Sequence, residues 1–184
     1  MTDTQKPLAI YTIGHSNMSI DTFFATLQRY GVRVVVDVRS APFSKFTQQF
    51  NRKPFSQFLT GHGMEYRFAG EVLGGRPTDP TCYFNGVLPD PKTHFLKMVD
   101  YAAVAKRDWY LQGIQRLLMI AREQPTTIMC AEGDPIECHR HYLIAHTLLL
   151  HGVIVHHIRE QALLDKVLYP GVQEELPEQL KLFS

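Results

Sequence analysis

The run of residues 32–38 constrains the fold more than any other stretch of the chain. It reads Val-Arg-Val-Val-Val-Asp-Val, and a nearly continuous β-branched run is typical of a strand that is covered on both faces. A shorter apolar run at 8–13 precedes it. Between the two lies an amphipathic segment with Ser19 as a helix N-cap and Gly31 as its stop. This order of strand, helix and strand indicates a βαβ unit, whose strands are parallel.

The rest of the chain continues the same alternation of apolar runs and amphipathic segments. Its pattern predicts further strands at 64–68, 126–130 and 153–158, and helices at 54–59, 94–104, 108–122, 138–151 and 160–168. We therefore predict an α/β fold, a single-domain three-layer sandwich with a mostly parallel, Rossmann-like sheet. The domain spans residues 1–169, and a C-terminal tail, 170–184, begins at the helix-breaking Pro170-Gly171.

Two long segments interrupt this alternation. Residues 41–51 are aromatic, basic and polar without clear periodicity, which predicts a long loop of the kind that is usually functional or mobile. Residues 70–91 are rich in Gly and Pro and are interpreted either as a lid over a site or as an irregular surface excursion. Cys82 lies in this second segment and is interpreted as structural.

Charge and cysteine content limit the classes of partner. With 19 basic and 18 acidic residues, the chain lacks the large net positive charge of proteins that bind nucleic acid or membranes mainly by electrostatic attraction. A local basic patch would still allow nucleic acid binding. The sequence has no apolar run long enough to span a membrane, and its polar N-terminus lacks the apolar centre of a signal peptide. Three cysteines do not make a secreted disulfide framework, so we expect free thiols in the cytoplasm.

The segment 129–140, Met-Cys-Ala-Glu-Gly-Asp-Pro-Ile-Glu-Cys-His-Arg, has the composition of a functional site. We place Cys130 at the carboxyl end of a strand, and Cys138, His139 and Arg140 in the first turn of the next helix. A helix start stabilises anions and thiolates through its unpaired N–H groups and its dipole. The alternative interpretation is that each cysteine only packs in the core as a small hydrophobic residue.

Polar residues also follow two other predicted strands. The three sets are His15, Ser16 and Asn17; Asp37, Arg39 and Ser40; and Cys130 with Cys138, His139 and Arg140. Ligands of open parallel sheets bind in the crevice beyond the carboxyl ends of the strands. If the three strands are parallel neighbours, all three sets meet in one crevice.

The residue types suggest an enzyme acting on a phosphorylated or nucleotide-like substrate. Cys130 or Cys138 is predicted as the nucleophile, and His15 or Glu132 as the general acid or base. The predicted binding residues for a small anionic molecule are Ser16, Arg39, Ser40, His139 and Arg140. Glu132, Asp134 and Glu137 put negative charge into the same loop, so the loop either binds substrate donor groups or turns these acids to solvent.

Other interpretations of this segment stay open. Cys130, Cys138, His139 and His15 are nitrogen and sulfur ligands suitable for zinc or iron, although the spacing of the two cysteines is not that of a Cys-x-x-Cys knuckle. The two thiols can also form a redox pair. The alternative function is therefore a metal-binding or nucleic-acid-associated accessory module without catalysis. In the plainest alternative, the cluster only ties a loop to a helix.

Four motifs occur in an order that identifies a family resemblance. They are Tyr11-Thr12-Ile13-Gly14-His15-Ser16; Val36-Asp37-Val38-Arg39-Ser40 with Pro42; Leu73-Gly74-Gly75; and the segment from Met129 to Arg140. Over residues 9–158 the chain resembles the family called domain of unknown function 488. The resemblance implies a single α/β domain of bacterial or archaeal type and brings no established reaction, substrate or cofactor. After Arg39, proteins of this family often continue with Trp or further Arg, whereas this chain has Phe43-Ser44-Lys45-Phe46.

Overall fold

A single six-stranded sheet forms the centre of the computed structural model, which describes residues 7–90, 93, 95–159 and 164–167. The strands are β1 (Ala9–Gly14), β2 (Val34–Asp37), β3 (Glu65–Phe68), β4 (Thr126–Cys130), β5 (Ile154–Ile158) and β6 (Leu164–Lys166). Their order across the sheet is β3-β2-β4-β1-β5-β6. All pairings are parallel except the last, in which β6 runs antiparallel to β5. The predicted mostly parallel sheet is confirmed.

Helices cover the two faces of this sheet. They are α1 (Ile20–Arg29), α2 (Arg52–Gly61), α3 (Gly70–Leu73), α4 (Tyr101–Val104), α5 (Asp108–Glu123) and α6 (His146–Leu150). A π-helical segment, Arg140–Ala145, runs directly into α6. Short 3₁₀ turns lie at Gln48–Phe50, Pro80–Cys82 and Pro135–Glu137. No helix in the described part of the chain is long and apolar enough to cross a membrane.

Two separate cores show why the run at 32–38 is apolar almost throughout. Successive strand residues point to opposite faces, so Val35 packs in a core with α1 and α2, whereas Val34 and Val36 pack in a core with α5. These three side chains are at most 2% exposed. The sheet therefore lies between two helical layers, and the predicted single-domain three-layer α/β fold is confirmed.

The predicted start and stop of α1 are both confirmed. The Ser19 side chain accepts a hydrogen bond from the backbone N–H of Thr22 at 3.1 Å, as an N-cap does. Gly31 follows the helix with a φ of +65°, a conformation that residues with a Cβ rarely adopt. The chain then enters β2 directly.

The strand order brings the carboxyl ends of three strands together. The connection from β1 through α1 to β2 passes over β4, which lies between the two strands. As a result Gly14 is paired with Cys130, and Asp37 with Met129. The residues that follow β1, β4 and β2 therefore emerge side by side at one edge of the sheet.

Cys138 was predicted to lie in the first turn of a helix, and this prediction is wrong. The residue has extended backbone, with a φ of −138°. Asp134 caps a separate short turn by accepting from the Ile136 N–H, and Pro135 opens that turn. Cys138 ends the turn, and helical backbone begins only with His139. The first backbone donor of the new helix, the Arg140 N–H, points at Cys138 Sγ over 3.5 Å.

Two other predicted helices differ from the structure. The helix predicted at 94–104 is confined to α4, because Asp100 accepts from the Ala103 N–H and starts the helix there. In the predicted helix at 160–168, Leu164–Lys166 form β6, whose backbone pairs with the edge of β5. His94, residues 160–163, and the predicted boundary and tail from 170 onward lie outside the described residues.

Candidate functional site

A cavity of about 340 Å³ lies at the carboxyl ends of β2 and β4. Its walls come from the residues after β2, the residues after β4, and the segment that follows α3. The lining residues are Arg39, Ser40, Ala41, Gly75, Arg76, Phe95, Cys130, Ala131, Glu132 and His139.

The backbone beneath the cavity is fixed by contacts between the end of β1 and the loop after β4. The His15 N–H donates to the Cys130 carbonyl at 3.0 Å, and the Ser16 N–H donates to the Ala131 carbonyl at 2.8 Å. A Cβ at Gly14 would lie 1.6 Å from the Glu132 carbonyl oxygen, so only glycine allows this approach. The loop that carries Cys130 and Glu132 is therefore pressed against β1.

Cys130, Cys138 and His139 form a buried sulfur–imidazole cluster. His139 Nδ1 is 3.8 Å from Cys130 Sγ and 3.6 Å from Cys138 Sγ. His139 Nε2 donates to the Leu73 carbonyl at 3.1 Å, because a carbonyl oxygen can only accept. Gly75 packs directly on the ring, since a Cβ there would lie 2.6 Å from His139 Cγ. The ring is thus held with Nδ1 facing both sulfurs.

The two thiols of this cluster have opposite pKa shifts. The pKa of Cys130 is raised by its hydrogen bond with Cys138 and by burial. Burial also pushes the pKa of Cys138 upward, but its interactions with Cys130 and with His139 outweigh this and lower the pKa well below its usual value. Burial pushes the pKa of His139 downward, and the Cys138 charge reverses that shift and raises it. The directions of these pKa shifts therefore favour loss of the proton from Cys138 before Cys130.

Glu132 connects this cluster to the cavity. Its Oε2 accepts a hydrogen bond from Cys130 Sγ at 3.0 Å, and the residue lines the cavity. Burial, followed by the negative charge of Cys138, raises the pKa of the Glu132 carboxyl. A carboxyl group with a raised pKa beside a cavity is suited to exchanging a proton with a ligand.

Arg39 is held by a buried ion pair at the end of β2. Its Nε and Nη2 donate to the two oxygens of Asp37 at 2.9 and 2.7 Å, and Nη2 also donates to the Phe50 carbonyl at 2.7 Å. Tyr66 donates to the same carboxylate, and burial together with Asp37 raises the pKa of the Tyr66 hydroxyl. Arg39 is 6% exposed and its guanidinium borders the cavity.

His15 supports Arg39 and does not line the cavity. Its ring stacks on Phe50 with the ring centroids 4.3 Å apart. Nδ1 donates to the Ser16 carbonyl at 2.9 Å, so Nε2 accepts from Arg39 Nη1 at 3.3 Å. Burial lowers the pKa of His15 to about 4, which keeps the ring neutral. Both ring nitrogens are therefore engaged, and these contacts favour a positioning role over the predicted proton transfer.

Arg140 holds the loop after β4 from behind. Its side chain is fully buried, and it donates from Nη1 to the Glu132 carbonyl at 2.6 Å and from Nη2 to the Gly133 carbonyl at 2.8 Å. Arg140 is not among the residues that line the cavity. Its contacts therefore fix the position of the loop that carries Glu132.

The predicted site residues divide into two groups. Arg39, Ser40, Cys130, Glu132 and His139 line the cavity. His15, Ser16, Cys138 and Arg140 lie behind it, in contact with the lining residues or their loop. Of the two other acids in the loop, Asp134 pairs with Arg159 at 3.2 Å and Glu137 is exposed, so neither charge enters the cavity.

The sequence interpretation missed the part of the cavity wall that Arg76 and Phe95 form. Arg76 lies over the ring of Phe95, with its Cζ 4.0 Å from the ring centroid, and its backbone N–H donates to Ser40 Oγ at 3.0 Å. Tyr101 lies behind this wall, and its hydroxyl donates to the Gly75 carbonyl at 3.5 Å. The run Gly74-Gly75-Arg76-Pro77 was the available signal for Arg76. Phe95 has no comparable motif.

Comparison with known proteins identifies a family. The family model described as "Domain of unknown function DUF488" matches residues 19–147, which is more than half of the chain. This span contains the cavity-lining residues from β2, β4 and the segment after α3, and it leaves out the motif at Tyr11–Ser16. No curated protein and no solved structure gives a significant match. The resemblance inferred from the motifs is therefore confirmed, and the chain belongs to the domain of unknown function 488 family.

Proposed function

We propose that this protein is an enzyme that binds a small anionic substrate in the cavity and converts it at the sulfur–imidazole cluster. One observation carries the proposal: His139 is fixed by the Leu73 carbonyl so that Nδ1 faces both sulfurs, while Cys130 and Glu132 of the same assembly open on the cavity. A nitrogen base held by a third group beside thiols is the arrangement that activates sulfur for chemistry.

Cationic groups on two walls support an anionic substrate. Four of the five N–H donors of Arg39 go to Asp37, Phe50 and His15, and the second N–H on Nη1 has no partner within the described residues. Arg76 also lines the cavity, and its backbone N–H donates to the neighbouring Ser40 Oγ at 3.0 Å. A cavity of about 340 Å³ has the size of a small-molecule site and suits a phosphorylated or nucleotide-like compound.

Proton transfer in the cavity falls to Glu132. Its carboxyl group has the raised pKa expected of a proton-exchanging group, and it lies 3.0 Å from the sulfur that reaches the cavity. Cys130 is that sulfur, because Cys138 lies behind it and does not line the cavity. Arg140 and His15 act indirectly, by fixing Glu132 and Arg39.

The thiols also bear on where such an enzyme works. Cys82, Cys130 and Cys138 are all free in the structure. A reaction that depends on unoxidised cysteines requires a reducing compartment, and we place the protein in the cytoplasm on that ground.

Ligand-dependent thermal stabilisation tests substrate binding. The panel contains phosphate, sugar phosphates, nucleotides, carboxylates and a short oligonucleotide. We expect a small anion to raise the melting temperature of the wild type and this shift to be lost in Arg76→Ala. Arg67→Ala, which removes an exposed arginine outside the cavity, should keep the shift. Stabilisation by the oligonucleotide alone would favour the accessory-module alternative.

Compounds that bind then serve as candidate substrates in a turnover assay. We expect Cys130→Ser and Glu132→Gln to abolish product formation, because they remove the sulfur and the carboxylate that face the substrate. Cys82→Ser, which removes a buried thiol elsewhere in the same core, should retain it. Turnover at the wild-type rate in Cys130→Ser would contradict the proposal.

A further inference from the structure

We infer that Cys130, Cys138 and His139 bind a zinc ion whose fourth coordination position opens to the cavity. With zinc bound, His139 Nδ1 and both sulfurs of the proposed function's cluster would serve as ligands, and the inference rests on that function only for the role of the open position. Metal binding itself is testable without any substrate.

The distances within the cluster match those of a tetrahedral zinc site. The three ligand atoms all lie within 4.8 Å of one another. Zinc binds sulfur at about 2.3 Å and imidazole nitrogen at about 2.0–2.1 Å, so two such ligands at the tetrahedral angle are about 3.6 Å apart. The Nδ1–Sγ distances are 3.6 Å to Cys138 and 3.8 Å to Cys130. Zinc would therefore need only small movements of these side chains.

The contacts around the cluster are those that surround metal ligands. A metal-binding histidine almost always donates its other ring N–H to a carbonyl or carboxylate, which fixes the tautomer. His139 does so through Nε2 to the Leu73 carbonyl. The Arg140 backbone N–H points at Cys138 Sγ at 3.5 Å and so favours a thiolate ligand there. A thiol pair that served only as packing would need neither contact.

The ligand chemistry selects the metal. Two sulfurs and one imidazole suit zinc, whereas magnesium and calcium prefer oxygen ligands. When Zn²⁺ binds, the thiol protons are released and both cysteines coordinate as thiolates. The two thiolate charges then neutralise the charge of the metal ion. Burying the neutral group costs less free energy than burying either kind of charge without a partner.

The position of the ligands indicates an open site. Cys130 and His139 line the cavity, while Cys138 lies behind them. Three protein ligands with a fourth position left for water or substrate are the pattern of catalytic zinc, whereas structural sites use four. Glu132 Oε2 lies 3.0 Å from Cys130 Sγ and so stands next to the ligand set, where it can accept a proton from a molecule in the open position.

Cobalt titration tests the site directly. The full-length protein is stripped with a chelator, kept reduced, and titrated with Co²⁺ and then Zn²⁺. We expect the visible bands of tetrahedral cobalt and a near-ultraviolet sulfur-to-cobalt band, saturating at about one ion per chain and bleached by zinc. Zinc should also raise the melting temperature of the stripped protein. If the stripped, reduced wild type shows neither the cobalt bands nor the melting shift, the inference fails.

Variants connect these signals to the named residues. We expect Cys138→Ser and His139→Ala to lose the cobalt bands, and Cys82→Ser, a control that removes another fully buried thiol, to keep them. Circular dichroism identifies any variant that has not folded. For such a variant the cobalt bands are not interpreted, and the titration of the wild type decides whether the zinc site exists. Unchanged bands in a folded Cys138→Ser protein would overturn the assignment. Glu132→Gln should bind zinc normally, and loss of zinc there would overturn the open fourth position.

The zinc inference and the proposed function can fail separately. If the stripped wild type shows neither the cobalt bands nor the melting shift, yet turns over its substrate while Cys130→Ser does not, the zinc inference is wrong and the proposed function stands. If the wild type binds zinc through the cluster but no anion binds in the cavity, the proposed function is wrong and the metal site stands. Activity that is lost on stripping and restored by zinc supports both.

Discussion

Two buried histidines, His139 beside β4 and His157 within β5, are held in different ways. His139 gives Nε2 to the scaffold and leaves Nδ1 facing two sulfurs at the edge of a cavity. His157 uses both nitrogens for the scaffold: Nδ1 is 2.6 Å from Thr12 Oγ1, and Nε2 is 2.9 Å from His141 Nδ1. A buried polar group with every partner inside the protein contributes to structure, whereas one that keeps an atom directed at reactive groups is suited to chemistry.

The same contrast extends to the ion pairs. The pair of Asp37 and Arg39 is almost fully buried and borders the cavity. At the β5 side, Arg159 pairs with Asp134 and Asp165 through side chains that are 38–52% exposed. Removing one partner of a buried pair leaves an uncompensated charge, whereas water replaces a lost surface partner. Loss of a partner should therefore lower the stability of the protein more at the buried pair beside the cavity than at the exposed pairs beside β5.

The largest expected effect comes from Asp37→Ala. The substitution leaves the buried guanidinium of Arg39 without its carboxylate and removes the acceptor of Tyr66. We expect a loss of about 3–5 kcal/mol in the free energy of unfolding, measured by urea denaturation. Glu65→Ala, which breaks an exposed pair with Arg67, is the matched control and should change it by less than about 1 kcal/mol. Equal effects of the two substitutions would remove the distinction between the buried pair and exposed pairs.

The second prediction uses the pH dependence of stability to test His157. Burial, followed by the charges of Arg140, His141 and Arg159, lowers the pKa of His157 to about 3, and Cys138 opposes this shift. The folded state therefore takes up this proton only near pH 3, whereas the unfolded chain takes it up near its usual value of about 6.5. The stability contribution is complete above about pH 6.5 and is lost as the pH falls toward 3, by an amount of the order of a few kcal/mol.

His157→Gln tests this assignment, because it removes the titrating group and keeps a side chain that can hydrogen-bond. We expect its unfolding free energy to fall less steeply than that of the wild type between pH 6.5 and pH 4 in urea titrations. His15, whose pKa is lowered to about 4, contributes to the slope in the same direction. A variant slope equal to that of the wild type would show that His157 is not held neutral by the fold.

The third prediction concerns the packing that fixes His139. In Gly75→Ala the added Cβ meets the imidazole ring at 2.6 Å, so the ring or the segment after α3 has to move. We expect a loss of about 1–3 kcal/mol in unfolding free energy together with loss of the cobalt bands and of turnover. Gly61→Ala is the control, since nothing lies within 4 Å of its added Cβ. Intact metal binding in Gly75→Ala would show that the ring does not need this wall.

The sequence was sufficient for the elements whose signals are local. Ser19 caps its helix as predicted, and the run at 32–38 contains a strand buried on both faces, because capping and burial patterns depend on neighbouring residues. The helix predicted at 160–168 was wrong because Leu164–Lys166 is a short, exposed edge strand that depends on pairing with β5. Such pairing is decided by tertiary contacts, which override local propensity.

For the site, the sequence indicated the residue types but not how their donors are used. Arg39 and Arg140 were both predicted to bind an anion, yet most donors of Arg39 go to Asp37, Phe50 and His15, and Arg140 holds two loop carbonyls. These partners are brought together by the insertion of β4 between β1 and β2, which no local pattern predicts. Phe95 lines the cavity from the long segment that follows α3, where no motif indicated a site residue.

The smallest expected effect is that of Asp165→Ala at the β5 edge. The substitution removes one of two carboxylates that pair with Arg159, and Asp134 remains as its partner at 3.2 Å. We expect the unfolding free energy to change by about 0.2–1 kcal/mol, and by less at high salt, because exposed pairs are screened. Urea denaturation at low and high ionic strength measures both. A loss comparable to that in Asp37→Ala would mean that β6 depends on this pair, so a half-exposed pair would then count for as much as the buried pair beside the cavity.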